Sequence, residues 1–170
     1  TMSKDTKDVY YVPVVATMDG KEKKITVPLT VYGLTLGGAT TSIKADGNTM
    51  YMLQNNNYTS TYLTATNTTP AANTSKNYYN LFTVNGKNIR SVARGTYLRG
   101  TTGTVSFNAT GTDYTIEPND DNMRISITES YGYGEYYTSY LRQTSDTAVT
   151  MSWYNSKNNW KFYPVTYDIP

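Results

Sequence analysis

Apolar residues along this chain recur at every second position far more often than at helical spacing. No stretch of helical length places them at i, i+3, i+4 and i+7 between credible caps, so the pattern predicts an all-β protein. Val9 to Met18 and Ile25 to Tyr32 are apolar or alternating runs on either side of Asp19-Gly20 and the Lys21, Lys23, Lys24 cluster. Asp-Gly between two such runs predicts a hairpin, because both turn residues tolerate positive φ. Pro13 and Pro28 lie inside the runs and cannot donate to a ladder, so each is expected at an unpaired edge or a bulge. The lysines read as a solvated strand edge, and Gly33 to Ser42 reads as a connector.

From Asp46 onward three landmarks recur in the same order. A turn pair feeds a short strand at Asp46-Gly47-Asn48-Thr49-Met50, at Asn85-Gly86-Lys87-Asn88-Ile89 and at Asp121-Asn122-Met123-Arg124. Tyr62-Leu63, Tyr97-Leu98 and Tyr140-Leu141 follow. Each copy then ends on an aromatic with an apolar residue two positions on: Tyr79 and Leu81, Tyr114 and Ile116, Trp160 and Phe162. Short strands at this spacing make hairpins that cannot bury their apolar faces alone and must close against one another. Leu63, Leu98, Leu141, Leu81, Ile116 and Phe162 are the expected core.

Three such copies resemble the β-trefoil, in particular the ricin-type lectin-like trefoils of secreted bacterial proteins. The third copy, Tyr140-Leu141-Arg142 to Trp160-Lys161-Phe162-Tyr163, is also similar to the C-terminal repeats of gut-bacterial surface proteins. The resemblance covers residues 46–170 and implies a β-trefoil-like closed assembly there, with residues 1–45 as an added hairpin and connector; a β-sandwich is the alternative. The lectins' Gln-x-Trp signature is absent, since Asn77, Thr112 and Asn158 stand where Gln would.

Composition narrows the chemistry. The chain has no Cys and no His, 13 carboxylates, and 15 basic residues for a net charge of +2. Ser-His-Asp triads, Cys nucleophiles, haem histidines and ordinary zinc sites are therefore excluded, and no cofactor is expected. The near balance of charge disfavours nucleic acid. No apolar run approaches a membrane span, and the polar, charged N-terminus does not read as a signal peptide. Thr, Asn and 18 Tyr dominate, which suits half-solvated strands and is the vocabulary of bacterial extracellular or surface modules. Four Asn-x-Ser/Thr sequons carry no weight at this Thr content, and residues 55–76 read as low-complexity sequence containing a long exposed loop.

Two groups have the chemistry of a sugar site, which needs aromatic faces beside short hydrogen-bonding side chains. One is the loop containing Tyr131, Tyr133, Tyr136 and Tyr137, bent by Gly132 and Gly134. The other is Trp153 and Tyr154 with Asn155, Asn158 and Asn159. Asp113, Glu117, Asp120 and Asp121 gather without any calcium-loop spacing and read as a turn, not a metal site. The expected function is a non-catalytic extracellular carbohydrate-binding or adhesion module. Its partner would be a glycan or a host or cell-surface protein. The rivals are a structural or protein-binding domain of a surface protein, pilus or phage fibre, and a carboxylate-only hydrolase.

Overall fold

The structure is a computed structural model that describes residues 7–168. It is all-β. Residues 7–35, together with 166–168, form one compact unit, and residues 36–165 form a second. In the first, β1 (Lys7–Met18) pairs antiparallel with β2 (Lys21–Leu36) through a two-residue turn. Asp19 and Gly20 both have positive φ, 52° and 72°, as the Asp-Gly signal requires. The register runs unbroken through Pro13↔Thr26 and Tyr11↔Pro28, so neither proline makes a bulge; Pro13 sits on an edge strand, since among the described residues β1 pairs with β2 alone. Lys21, Lys23 and Lys24 are exposed on β2.

The second unit carries β3 (Asp46–Asn55), β4 (Tyr62–Thr64), β5 (Ala71–Asn73), β6 (Phe82–Asn85), β7 (Asn88–Ser91), β8 (Tyr97–Thr101) and β9 (Thr104–Asn108). It continues with β10 (Thr115–Asn119), β11 (Asn122–Gly132), β12 (Glu135–Gln143), β13 (Val149–Ser152) and β14 (Trp160–Asp168). β7 pairs with β6, β6 with β3, β3 with β14, β14 with β11 and β11 with β10. Across the remaining gap the Tyr114 N–H donates to the Lys87 carbonyl at 2.9 Å, and Asn88 Nδ2 donates to the Thr112 carbonyl and to Asp113. The result is a nearly closed, barrel-like sheet.

Three hairpins, β4–β5, β8–β9 and β12–β13, are tied to one another by backbone bonds. Ala72 donates to Thr147, Phe107 to Thr68 and Gly103 to Met151, at 3.0, 2.7 and 2.8 Å. Each hairpin's Tyr-Leu pair also meets the chain that follows it. The Leu63 carbonyl accepts from Asn80 Nδ2, the Leu98 carbonyl from the Thr112 N–H, and the Leu141 carbonyl from Trp160 Nε1, all within 2.9–3.1 Å. Buried polar groups thereby find partners while Leu63, Leu98 and Leu141 pack in one cluster with Tyr51, Phe82, Phe107, Trp160 and Phe162. Of the expected core residues, five are fully buried and Ile116 packs against the cluster from its edge.

The exposed loop expected in residues 55–76 is present as two stretches, 56–60 and 66–69, but the segment also holds the β4–β5 hairpin, with Thr61 to Ala65 and Ala72 buried. Polar composition hid the strands because only Leu63, Ala65 and Ala72 are needed to seat them. One expectation needs correcting. Tyr79 is not equivalent to Tyr114 and Trp160. A 3-10 turn, Tyr78–Asn80, capped by Asn77, turns Tyr79 outward at 41% exposure and sends Asn80 inward to bond Leu63. Gly100 is a close-approach site, since a Cβ there would strike the Thr104 carbonyl and Val105.

Trp160→Phe removes the donor to Leu141 but keeps an aromatic ring in place, so it should destabilise by about 2 kcal/mol. A urea midpoint unchanged from wild type would show that this bond contributes nothing. Tyr114 is 1% exposed. Burial pushes its phenol up to about 12, with the Thr112 hydroxyl offsetting part of the effect. Because the folded value lies above the unfolded value near 10, the contribution is fully present below pH 10 and is lost as pH rises through 12. The stability of wild type should therefore fall between pH 9 and pH 11.5 by about 2 kcal/mol more than that of Tyr114→Phe. Parallel pH curves for the two proteins would contradict this.

Candidate functional site

The long β11–β12 hairpin is built by its turn. Tyr133 and Gly134 occupy the two turn positions with φ of 56° and 75°, and a register shift between Ser130 and Gly132 bends the strand just before them. A tyrosine in the left-handed region is uncommon and costs about 1 kcal/mol. The side chain gains no burial in exchange, since Tyr133 is fully exposed.

Behind the tip the predicted aromatics converge. Tyr131 and Tyr137 have ring centroids 5.5 Å apart, Tyr137 meets Trp153 edge-on at 6.1 Å, and Trp153 leans on Tyr154 at 5.8 Å. Four aromatics from two separated segments thus form one continuous file. All but the half-buried Tyr137 are more than half exposed. Edge-to-face and tilted contacts at these distances hold rings in place without burying their faces. Tyr136 is also exposed, but strand alternation points it to the side of β12 opposite Tyr137. It and Tyr133 stand outside the file.

Polar groups fix this file at both ends. The Tyr131 hydroxyl donates to Glu135 at 2.7 Å, which raises the phenol's pKa by favouring its protonated form. At the other end the Arg142 guanidinium lies 5.3 Å from the Tyr154 ring centre and is held by the Ser156 carbonyl, Ser156 Oγ and Ser152 Oγ. Asn155 is exposed and accepts from Asn158 Nδ2 at 3.0 Å. Asn158 itself is 2% exposed, so it shapes the 153–159 turn from within and offers nothing to a ligand at the surface.

Glu129 has no place in the reading of the sequence, yet it belongs to this surface. It stands directly opposite Tyr137 in the β11–β12 register, which places both on one face. Its Oε2 accepts from the Thr102 N–H and hydroxyl, and Thr102 Oγ1 lies 2.9 Å from the hydroxyl of buried Ser139, which completes the network as donor. Counting outward from the Tyr133-Gly134 turn would have set Ser130 opposite Tyr137; the register shift between Ser130 and Gly132 puts Glu129 there instead.

The other candidates make a weaker site. Glu117 faces Arg124 across β10–β11, Asp120 and Asp121 form the two-residue turn that follows, and Asp113 accepts from Asn88. Among the described residues no three metal-ligating side chains come together. An open cleft of about 290 Å³ is lined by Ile43, Ala45, Val84, Gly86, Lys87, Tyr114, Thr115 and Ile116, with no carboxylate among them. Among the described residues no helix is long and apolar enough to cross a membrane. Compared with protein-family models, curated proteins and solved structures, the chain matches none of them.

Proposed function

We propose that this chain is a non-catalytic, extracellular or cell-surface carbohydrate-binding or adhesion module of a bacterial protein, with its second unit on a β-trefoil plan. The observation that carries the functional reading is the exposed file of Tyr131, Tyr137, Trp153 and Tyr154. Pyranose rings present C–H faces that stack on aromatic rings, and hydroxyls that bond short polar groups beside them. Glu129, Glu135 and Asn155 supply acceptors along the same surface. The site is shallow and open, which favours weak single-site binding strengthened by multivalent display.

Three features support the trefoil plan. Twelve strands, β3 to β14, divide into three runs of four, with the outer strands of each run in the barrel-like sheet and the inner two in a hairpin. The three Tyr-Leu pairs open corresponding hairpins, and each Leu carbonyl accepts a bond from the chain just beyond its own hairpin.

The test is a glycan array probed with the multivalently displayed protein. Binding to a related group of glycans should fall about tenfold in Trp153→Ala and in Tyr137→Ala, a loss of about 1.4 kcal/mol each, with unfolding midpoints near wild type. Silence across the array would overturn the reading and favour a protein partner for the tyrosine surface.

A further inference from the structure

Four tyrosines of the second unit carry cations of the chain's own, whether buried like Tyr62 or exposed like Tyr154. Lys157 lies over Tyr58, Lys76 over Tyr62, Arg124 over Tyr140 and Arg142 over Tyr154, at 5.3–5.6 Å from the ring centres. Tyr131, Tyr137 and Trp153 are placed differently. Among the described residues no Lys or Arg covers them, and the charged groups on their face are carboxylates. Glu129 is directly opposite Tyr137, and Glu135 is two residues before it on the same face of β12.

Both carboxylates are held in place. Thr102 fixes Glu129 with two hydrogen bonds, and the Tyr131 hydroxyl fixes Glu135. Aromatic faces carry negative electrostatic potential, and an adjacent carboxylate deepens it. Two acidic groups beside three rings that no Lys or Arg of the described residues covers make this face attractive to a cation. Arg142 on Tyr154, one ring further along, shows the geometry such a cation adopts.

We propose that the ligand of this face is an oligosaccharide carrying free amino groups, seated with an ammonium between Glu129 and Glu135 and its ring faces on Tyr137 and Trp153. The proposal rests on the carbohydrate-binding reading and narrows it. Neutral sugars can stack here and donate hydroxyls to the carboxylates, but only an amine also brings them a positive charge. A hydroxyl supplies one neutral donor, whereas an ammonium supplies three donors and a charge.

The experiment compares short oligomers of glucosamine, N-acetylglucosamine and glucose, of equal length, by calorimetry on the intact protein. The free-amine oligomer should bind about tenfold tighter than the other two, and the preference should shrink with added salt. Glu135→Gln and Glu129→Gln should each bring the amine oligomer toward the affinity of the neutral one. Glu135 serves as the second variant because its only described support is the exposed Tyr131 hydroxyl, so its loss does not disturb the Thr102 network.

Equal binding of all three oligomers would overturn the amine proposal while leaving a carbohydrate module standing. Failure of all three, in a protein that also binds nothing on a glycan array, would remove both. A lysine oligopeptide that bound as tightly as the glucosamine oligomer would overturn the saccharide part and assign the face to basic protein segments.

Discussion

Everything in the second unit depends on closing a curved sheet around one core, and the pairing of β14 with β3 makes that closure. Six consecutive register pairs, Trp160↔Asn55 to Val165↔Met50, join the last strand to the first. Central β3 is consequently buried on both faces from Tyr51 to Asn55, and its polar members must find internal partners. Gln54 does so by donating to Thr59 and accepting from Tyr163, and Asn55 by donating to the Lys157 carbonyl. Each of these polar side chains, left unpaired inside a hydrophobic strand, would otherwise cost about 1–3 kcal/mol.

Closure also explains how an exposed site can be well ordered. β11 and β12 enter the sheet at their base, where Met123, Ile125 and Leu141 are in the core, and leave it toward Tyr133, where burial ends. Trp160 on β14 bonds Leu141 on β12, and β13 continues from the same hairpin straight into Trp153. The aromatic file is thus mounted on two strands whose roots are fixed by the core. Ring-to-ring contacts and the Arg142 and Glu135 bonds fix what projects beyond it. Little ordering entropy would then remain to be lost on binding, which is what a shallow site needs.

Much of the architecture was legible in the order of landmarks. Asp19-Gly20 specified its hairpin because only a few residue pairs fit that turn, and the Tyr-Leu pairs marked strands because the leucines had to be core. The aromatics at 131–137 and 153–154 were legible as surface groups because nothing in the pattern gave them a buried face. What the residues did not disclose were facts of register and rotation. The 3-10 turn that exchanges Tyr79 for Asn80 and the inward turn of Asn158 depend on backbone rotation within turns, and the juxtaposition of Glu129 with Tyr137 depends on a one-residue shift of strand register. Polar stretches such as residues 55–76 conceal strands for a related reason, since a hairpin pinned by neighbouring hairpins needs few apolar residues of its own.

The most direct measurement uses the two indoles of the chain as paired reporters. Trp153 is more than half exposed in the aromatic file, whereas Trp160 is fully buried with its Nε1 proton on the Leu141 carbonyl. In a nitrogen-proton correlation spectrum, titration with glucosamine oligomers should move the Trp153 indole signal saturably and leave that of Trp160 in place. An unmoved Trp153 signal in a protein that binds the oligomer would contradict the account, because the ligand would then lie away from the aromatic file.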